Sequence, residues 1–400
     1  MPAHQSVGNI LNLVDSEVVL AGQQSEPLQN LGDYLRTNVD RKLNGLVDNG
    51  HSVGILNADW CRDHPAEAGR LHADIIVATY GSTYALPNKD PLANEQAING
   101  GGLDVYLLTI DESVVGTACL VDAGEGRAEL GRSASLGRVG NSIIQDLRIM
   151  DWLSNPLTAE KYHTLFTTLR TAPDREIDES DGSTFIMRGG QGVTEHWRKF
   201  PKVYANGVAP LYLKHGKLEQ FTLAYITRNA MDRRPDLYVS SPQDARFIGA
   251  WHNEYGVTPP SIIEEQTPVD RIISFTAHYP SIESGITELV HADIVPDHYS
   301  SKTLVEALGE AYSAGSPFYQ VSVPIELDTR AEQERLRQMG YQVFGYQPAD
   351  SLNTAALLYG KVRDGINVVP TFWDIDDSAS HPFWQNSDLR LWAENVACNW

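Results

Sequence analysis

Residues 126–153, GRAELGRSASLGRVGNSIIQDLRIMDWL, constrain this chain more than any other stretch, because a strand pattern runs through a glycine-broken turn straight into a helix pattern. Residues 127–136 alternate well enough for a strand, and Gly137 and Gly140 interrupt it. Ser142 is a suitable N-cap, since its hydroxyl can accept an orphan N–H of the first turn. After it Ile143, Ile144, Leu147, Met150 and Leu153 recur at three- and four-residue spacing, the stripe of a helix with one buried face. A tight turn feeding a helix N-terminus gathers main-chain N–H groups and the positive end of the helix dipole at one point, which suits a phosphate. An ordinary strand–turn–helix of an α/β domain without a ligand shares this pattern.

Composition narrows the partners. Lys and Arg number 31 against 52 Asp and Glu, a net charge of −21, and no basic block appears, so nucleic acid and anionic membrane surfaces are not expected partners. Four hundred residues exceed one ordinary core, which predicts at least two domains. Cys61, Cys119 and Cys398 form no CxxC pair, and the first twenty residues have no basic region ahead of their apolar ones, so a cytoplasmic protein without a disulfide framework is expected. No apolar run reaches the length of a membrane span.

Along the chain, residues 1–70 read as an N-terminal helical extension, with Leu31, Leu35, Val39, Leu43 and Leu46 at helical spacing. Asp59, Cys61, Asp63 and His64 are metal-ligand types, but the motif has no second half; a turn with a capping aspartate is the reading, and no metal is expected. Residues 74–80 read as a strand, 90–98 as a helix, and 103–110 with 113–121 as a hairpin turning at Asp111-Glu112. Residues 157–170 continue in helical pattern, 172–182 form an exposed acidic loop, and 183–188 a strand. A helix over 193–200 and a hairpin over 204–213 and 218–226 close this part. The polar, proline-broken segment 228–242 marks a boundary. The same order is then expected again: helix 243–254, strands 271–278 and 287–295, helix 303–314, strand 318–324, helix 329–339 ending at Gly340, and strands 341–346 and 355–362. Strands and helices in this order predict a mixed α/β (α+β) sheet with helices on its faces.

The residues Ala128-Glu129-Leu130-Gly131-Arg132-Ser133-Ala134-Ser135 followed by Arg138-Val139-Gly140-Asn141-Ser142 resemble motif A of the GNAT acyltransferase superfamily, a strand leading into a pyrophosphate-binding turn. The turn is contracted, and Gly137 stands where the family usually has arginine or glutamine. The resemblance implies two tandem GNAT-like domains, 71–230 with the motif and 240–365 degenerate, between the extension 1–70 and an aromatic tail 366–400. In the second copy Val295-Pro-Asp-His-Tyr-Ser-Ser-Lys302 replaces the phosphate turn, with no glycine and with Asp297 where an anion would sit, so its role is read as structural or substrate-binding. In the tail Phe372, Trp373, Phe383, Trp384, Trp392 and Trp400 each have large area to bury; Asp374, Asp376, Asp377 and His381 read as a solvated turn.

The same resemblance implies an acyl-CoA co-substrate, acetyl-CoA above all, held by the backbone of Ser133, Ala134, Ser135, Leu136, Gly137, Arg138, Val139, Gly140, Asn141 and Ser142. A bulge in the motif strand would free a main-chain N–H for the thioester oxygen. Glu129 is the expected base, with a structural pair to Arg132 as its plainer role. Tyr204 is the expected acid with His196 in reserve, and Arg132 a candidate clamp for a substrate carboxylate. The acceptor would be the amine of a small molecule or amino acid. Two alternatives stay open: transfer or decarboxylation on a thioester carried by an acyl carrier protein, and a non-catalytic binding protein on the same scaffold.

Overall fold

The computed structural model describes residues 26–80, 86–124, 126–136, 138–170, 175–178, 184–187, 204–213, 217–231, 236–263, 273–280, 287–294, 318–324, 330–350, 355–369 and 386–400. The chain divides into two compact units, residues 1–167 with 226–228, and residues 168–225 with 229–400. The limits read from sequence (1–70, 71–230, 240–365, 366–400) divide the chain differently.

The first unit opens with α1 (Glu26–Asp48), whose Leu28, Leu31, Leu35, Val39 and Leu43 form one buried stripe. Next come β1 (Val53–Leu56), α2 (Ala58–Asp63), α3 (Pro65–Tyr80), α4 (Leu86–Lys89), α5 (Pro91–Asn99), β2 (Leu103–Ile110), β3 (Ser113–Asp122) and β4 (Arg127–Ser135). The helices α6 (Arg138–Ser154) and α7 (Pro156–Lys161) then lead to β5 (Thr164–Arg170, its last three residues counted with the second unit). Strand order is β1-β2-β3-β4-β5, antiparallel up to β4 and parallel between β4 and β5, so the sheet is mixed. Asp111 and Glu112 both have positive φ (48° and 65°), the two-residue turn whose twist matches the β2–β3 hairpin.

Alternation along β2 sends Leu103, Val105 and Leu107 to a core shared with Cys61 of α2, Ala68 of α3, Ile98 of α5 and Cys119 of β3. Tyr106, on the other face, donates its hydroxyl to Asp151 of α6 at 2.7 Å. Both faces are therefore covered. Buried Asp104 is held by Arg62 and, at 3.0 Å, by Lys161.

Four sequence expectations are corrected here. Residues 74–80 are the end of α3 rather than a strand: Ala68, His72, Ala73, Ile75 and Ile76 bury one helical face, and Ile75 and Ile76 pack on Ala134, which outweighs the β-branched local run. The helical pattern of 157–170 ends at Lys161, because Asn155 caps and Pro156 starts only a short helix, after which residues 164–170 form a strand whose first three residues pair with β4. The expected acidic loop contains a strand, β6 (Arg175–Asp178), which pairs with β7 (Thr184–Met187), the strand expected over 183–188. Asp59 pairs with Arg62, while Asn57, not an aspartate, caps α2, its side chain accepting from Trp60 N at 3.1 Å.

The second unit contains β8 (Tyr204–Leu213), β9 (Lys217–Thr227, its last residues counted with the first unit), β10 (Asp236–Tyr238), α8 (Pro242–Tyr255), β11 (Ser261–Ile263), β12 (Ile273–Pro280) and β13 (Thr287–Ile294). It continues with β14 (Phe318–Pro324), α9 (Arg330–Gln338), β15 (Gln342–Gln347), β16 (Ala356–Val362), β17 (Asn367–Val369) and α10 (Ser387–Cys398). Its strands run in the order β9-β8-β15-β16-β14-β12-β13, with β17 on β9, and β10 pairs separately with β11. The expected hairpin 204–226 forms, with Asn206 as an extra residue between the pairs Ala205↔Ala224 and Gly207↔Leu223. Gly340 has φ 84°, as the end of α9 requires. Trp392 of α10 stacks on Phe247 of α8 at 3.7 Å. The expected helices 193–200 and 303–314, the loop 295–302, the N-terminal segment 1–25 and the tail aromatics Phe372, Trp373, Phe383 and Trp384 lie outside the described residues.

Candidate active site

The motif strand β4 departs from regular pairing at one place. Its partners on β3 are Leu120↔Leu130 and Cys119↔Gly131, and then Thr117↔Ala134, so β4 carries one residue more than β3 across this step. Arg132 and Ser133 fall in the gap, and Arg132 has φ 48°. A side chain other than glycine there costs roughly 1–2 kcal/mol, so the surroundings must hold it. They do so from two helices. Arg148 of α6 donates through Nη1 to Cys119 O (2.9 Å) and Gly131 O (3.0 Å), and Tyr80 of α3 donates its hydroxyl to Ser133 O at 2.7 Å.

On its other edge β4 pairs with β5 only at Arg127↔Thr164, Ala128↔Leu165 and Glu129↔Phe166; past Glu129 no further β4–β5 pair occurs among the described residues. The Thr167 hydroxyl donates to Leu130 O at 3.2 Å at the point where the ladder stops. The bulge therefore begins just beyond the last parallel pair.

Glu129 is half-buried at that point, and its carboxyl folds over Gly131: a Cβ on Gly131 would lie 3.4 Å from Glu129 Cδ. Burial raises its pKa, and the nearby Arg132 and Arg148 guanidiniums pull it back. His72 of α3 is buried with Nδ1 2.8 Å from Thr117 Oγ1, and its Nε2 has no hydrogen-bond partner among the described residues. Burial, reinforced by Arg132, lowers its pKa to about 3, so it is neutral at pH 7. Burial likewise pushes the Cys119 thiol up to about 12.

After Ser135 the chain reaches helical geometry at Arg138, so only residues 136 and 137 join strand to helix. Leu136 N still donates to Val115 O at 2.8 Å, which ties the end of β4 down. The expected turn at Arg138, Val139, Gly140, Asn141 and Ser142 is corrected: these five residues are already helix, and Ser142 lies inside α6 instead of capping it. The local reason is that neither Gly140 nor Ser142 interrupts an otherwise favourable 17-residue helix whose later turns bury Ile143, Ile144, Leu147, Ile149 and Trp152. The N–H groups of residues 138–141 are the ones a helix leaves without i−4 partners.

The chain is similar over a little under half its length to solved GNAT acetyltransferases. A GNAT-family acetyltransferase from Streptococcus pneumoniae matches 44% of this chain and 99% of its own at 13% identity and a TM-score of 0.31. The aminoglycoside 6'-N-acetyltransferase from Enterococcus faecium matches 46% of this chain and 99% of its own at 16% identity and a TM-score of 0.31. The ribosomal-protein-S5-alanine acetyltransferase from Vibrio fischeri matches 44% and 93% at 11% identity and a TM-score of 0.28. No family model matches the sequence, and no curated protein matches it.

Of the residues expected from sequence, Glu129, Arg132, Ser133, Ala134, Ser135 and Leu136 lie together on β4 and its end, with the backbone of 138–142 directly after. Gly137 and His196 lie outside the described residues. Tyr204 belongs to the second unit, where its ring stacks with Tyr225 (5.2 Å) and Trp251 (5.8 Å), and burial raises its pKa. No group of three or more metal-ligating side chains occurs among the described residues. Sequence reasoning missed Arg148, Tyr80, His72 and Thr167. Arg148 left a signal: it sits four residues after Ile144 and four before Trp152, a basic residue on the apolar stripe of α6.

Proposed function

We propose that the chain is a GNAT-type N-acyltransferase that moves an acyl group, acetyl in the simplest case, from a CoA thioester to the amine of a small molecule or amino acid. The observation that carries this reading is the Arg132 bulge, placed one residue past Gly131 and its overlying Glu129 carboxyl, and joined through two residues to the N-terminus of α6. Main-chain N–H groups at the bulge take the thioester oxygen as it gains charge, and those at 138–141 take the diphosphate. Glu129 takes the proton of the attacking ammonium, directly or through water. Arg132 is the proposed clamp for an acceptor carboxylate. No metal takes part in this scheme, and a cytoplasmic setting and a degenerate second GNAT-like copy belong to the same proposal.

Incubation with acetyl-CoA and a panel of amines and amino acids tests it: thiol release dependent on the amine is expected. Absence of release with every donor, together with no CoA binding by calorimetry, rejects it. The two-residue connection before α6 favours one second reading, a donor thioester presented by an acyl carrier protein. Preference for a carrier-bound over a CoA-bound acyl group would select it.

A further inference from the structure

Arg148 stands on the buried face of α6 with 3% of its surface exposed. Taking a guanidinium out of water costs several kcal/mol unless charge or hydrogen bonds compensate. Among the described residues it forms no ion pair; one nitrogen serves two main-chain carbonyls, and its buried Nε has no partner. Burial brings its pKa down to about 10, so it keeps its charge at neutral pH. A buried cation that holds only backbone is an expensive way to fill a core position.

Its two carbonyls are those of Cys119 and Gly131, the register partners immediately before β4 takes its extra residue. The Gly131 carbonyl and the Arg132 N–H are the two ends of one peptide group. A cationic donor on the carbonyl withdraws electron density through the amide and makes the N–H a stronger donor. Tyr80 does the same, without charge, for the peptide joining Ser133 to Ala134.

We propose that Arg148 is a positioning residue of the acyl-transfer site, fixing the Arg132 bulge and polarising its N–H toward the thioester oxygen. This rests on the functional reading above. The thioester oxygen gains negative charge as the amine attacks, so a stronger donor lowers the barrier more than it tightens ground-state binding. The same charge acts on Glu129. The other charged or titratable groups around it and the bulge are Arg132 on β4, Cys119 on β3, Tyr106 on β2, His72 and Tyr80 on α3 and Asp146 on α6. Cys119, Tyr106 and His72 are neutral at pH 7, which leaves the two arginines as the cations that keep the Glu129 carboxyl ionisable.

The test uses full-length R148K, R148Q and R148M with steady-state kinetics, CoA calorimetry and thermal melts. In R148M, kcat falls on the order of tenfold to a hundredfold while the KM for acyl-CoA stays within about threefold. The acid limb of kcat/KM moves to higher pH, because Glu129 loses a cation. R148K recovers part of the rate and of the limb; R148Q, polar and uncharged, recovers the melting temperature without the limb. Where R148M does not fold, R148K against R148Q carries the comparison. Unchanged kcat and limb overturn the proposal, as does a rate loss that follows the folded fraction. A wild-type protein that neither binds CoA nor releases thiol overturns the functional reading and this proposal with it, whereas a wild type that turns over no faster than R148M overturns the proposal alone.

Discussion

The phenol of Tyr80, the last residue of α3, donates to the carbonyl of Ser133 at 2.7 Å and so fixes one side of the bulge in β4. Tyr80→Phe removes the donor and keeps the ring. A neutral hydrogen bond is worth about 1 kcal/mol, so a loss of roughly fivefold in kcat is expected if its effect falls on the oxyanion donor. Kinetics on the purified variant, beside a thermal melt, read this directly. An unchanged kcat would mean that the bulge holds its shape without Tyr80.

Much of this site could be read in the sequence, because it depends on local pattern. Glycine spacing and alternation placed β4, and the apolar stripe from Ile143 placed α6. Where the helix begins was misjudged, since Gly140 and Ser142 favour caps and turns while the later turns of α6 bury enough apolar surface to extend it back to Arg138. The bulge was expected somewhere in the motif strand, but its place is set by register against β3, which one strand's sequence does not encode. Tyr80 was hidden for a related reason: residues 74–80 were read as a strand, so the helix over the sheet that carries both Tyr80 and His72 was not foreseen.

Glu129→Gln tests the base. The amide keeps the shape of the carboxyl over Gly131 and removes its proton affinity. General-base removal lowers kcat/KM on the order of 10²–10⁴-fold, and with an activated, weakly basic amine the deficit should shrink. Burial raises the Glu129 pKa, so the wild-type acid limb should lie above that of an exposed glutamate, and it should vanish in the variant. A limb that persists in Glu129→Gln would assign the titration to another group.

Two buried histidines make the fold sensitive to acid. The His72 pKa falls from 6.5 to about 3 and that of His252 to about 4, both chiefly through burial. Each folded-state value lies below the unfolded one, so the unfolded chain binds more protons in this window. Their contribution is fully present above pH 6.5 and is lost as pH falls toward the folded values. Melting temperature should therefore drop between about pH 6.5 and 4, with a shallower slope in His72→Gln. Glu129, whose pKa is raised, contributes the opposite slope, and the Glu129→Gln variant separates the two. Equal slopes in wild type and His72→Gln would show that His72 titrates alike in the folded and unfolded chain.

Gly140→Asp sets stability against binding at the start of α6. Residue 140 is the third of a helix that begins at Arg138, where a carboxylate meets the positive end of the dipole and gains about 0.3–1 kcal/mol. Replacing glycine within a helix also helps, so the melting temperature should rise by a few degrees at most. A diphosphate held by the same N–H groups would meet that carboxylate at close range, and CoA affinity should fall about tenfold or more. Differential scanning calorimetry and CoA titration on one preparation read both effects. A higher melting temperature with unchanged CoA affinity would place the diphosphate away from α6 and remove the role proposed for residues 138–141.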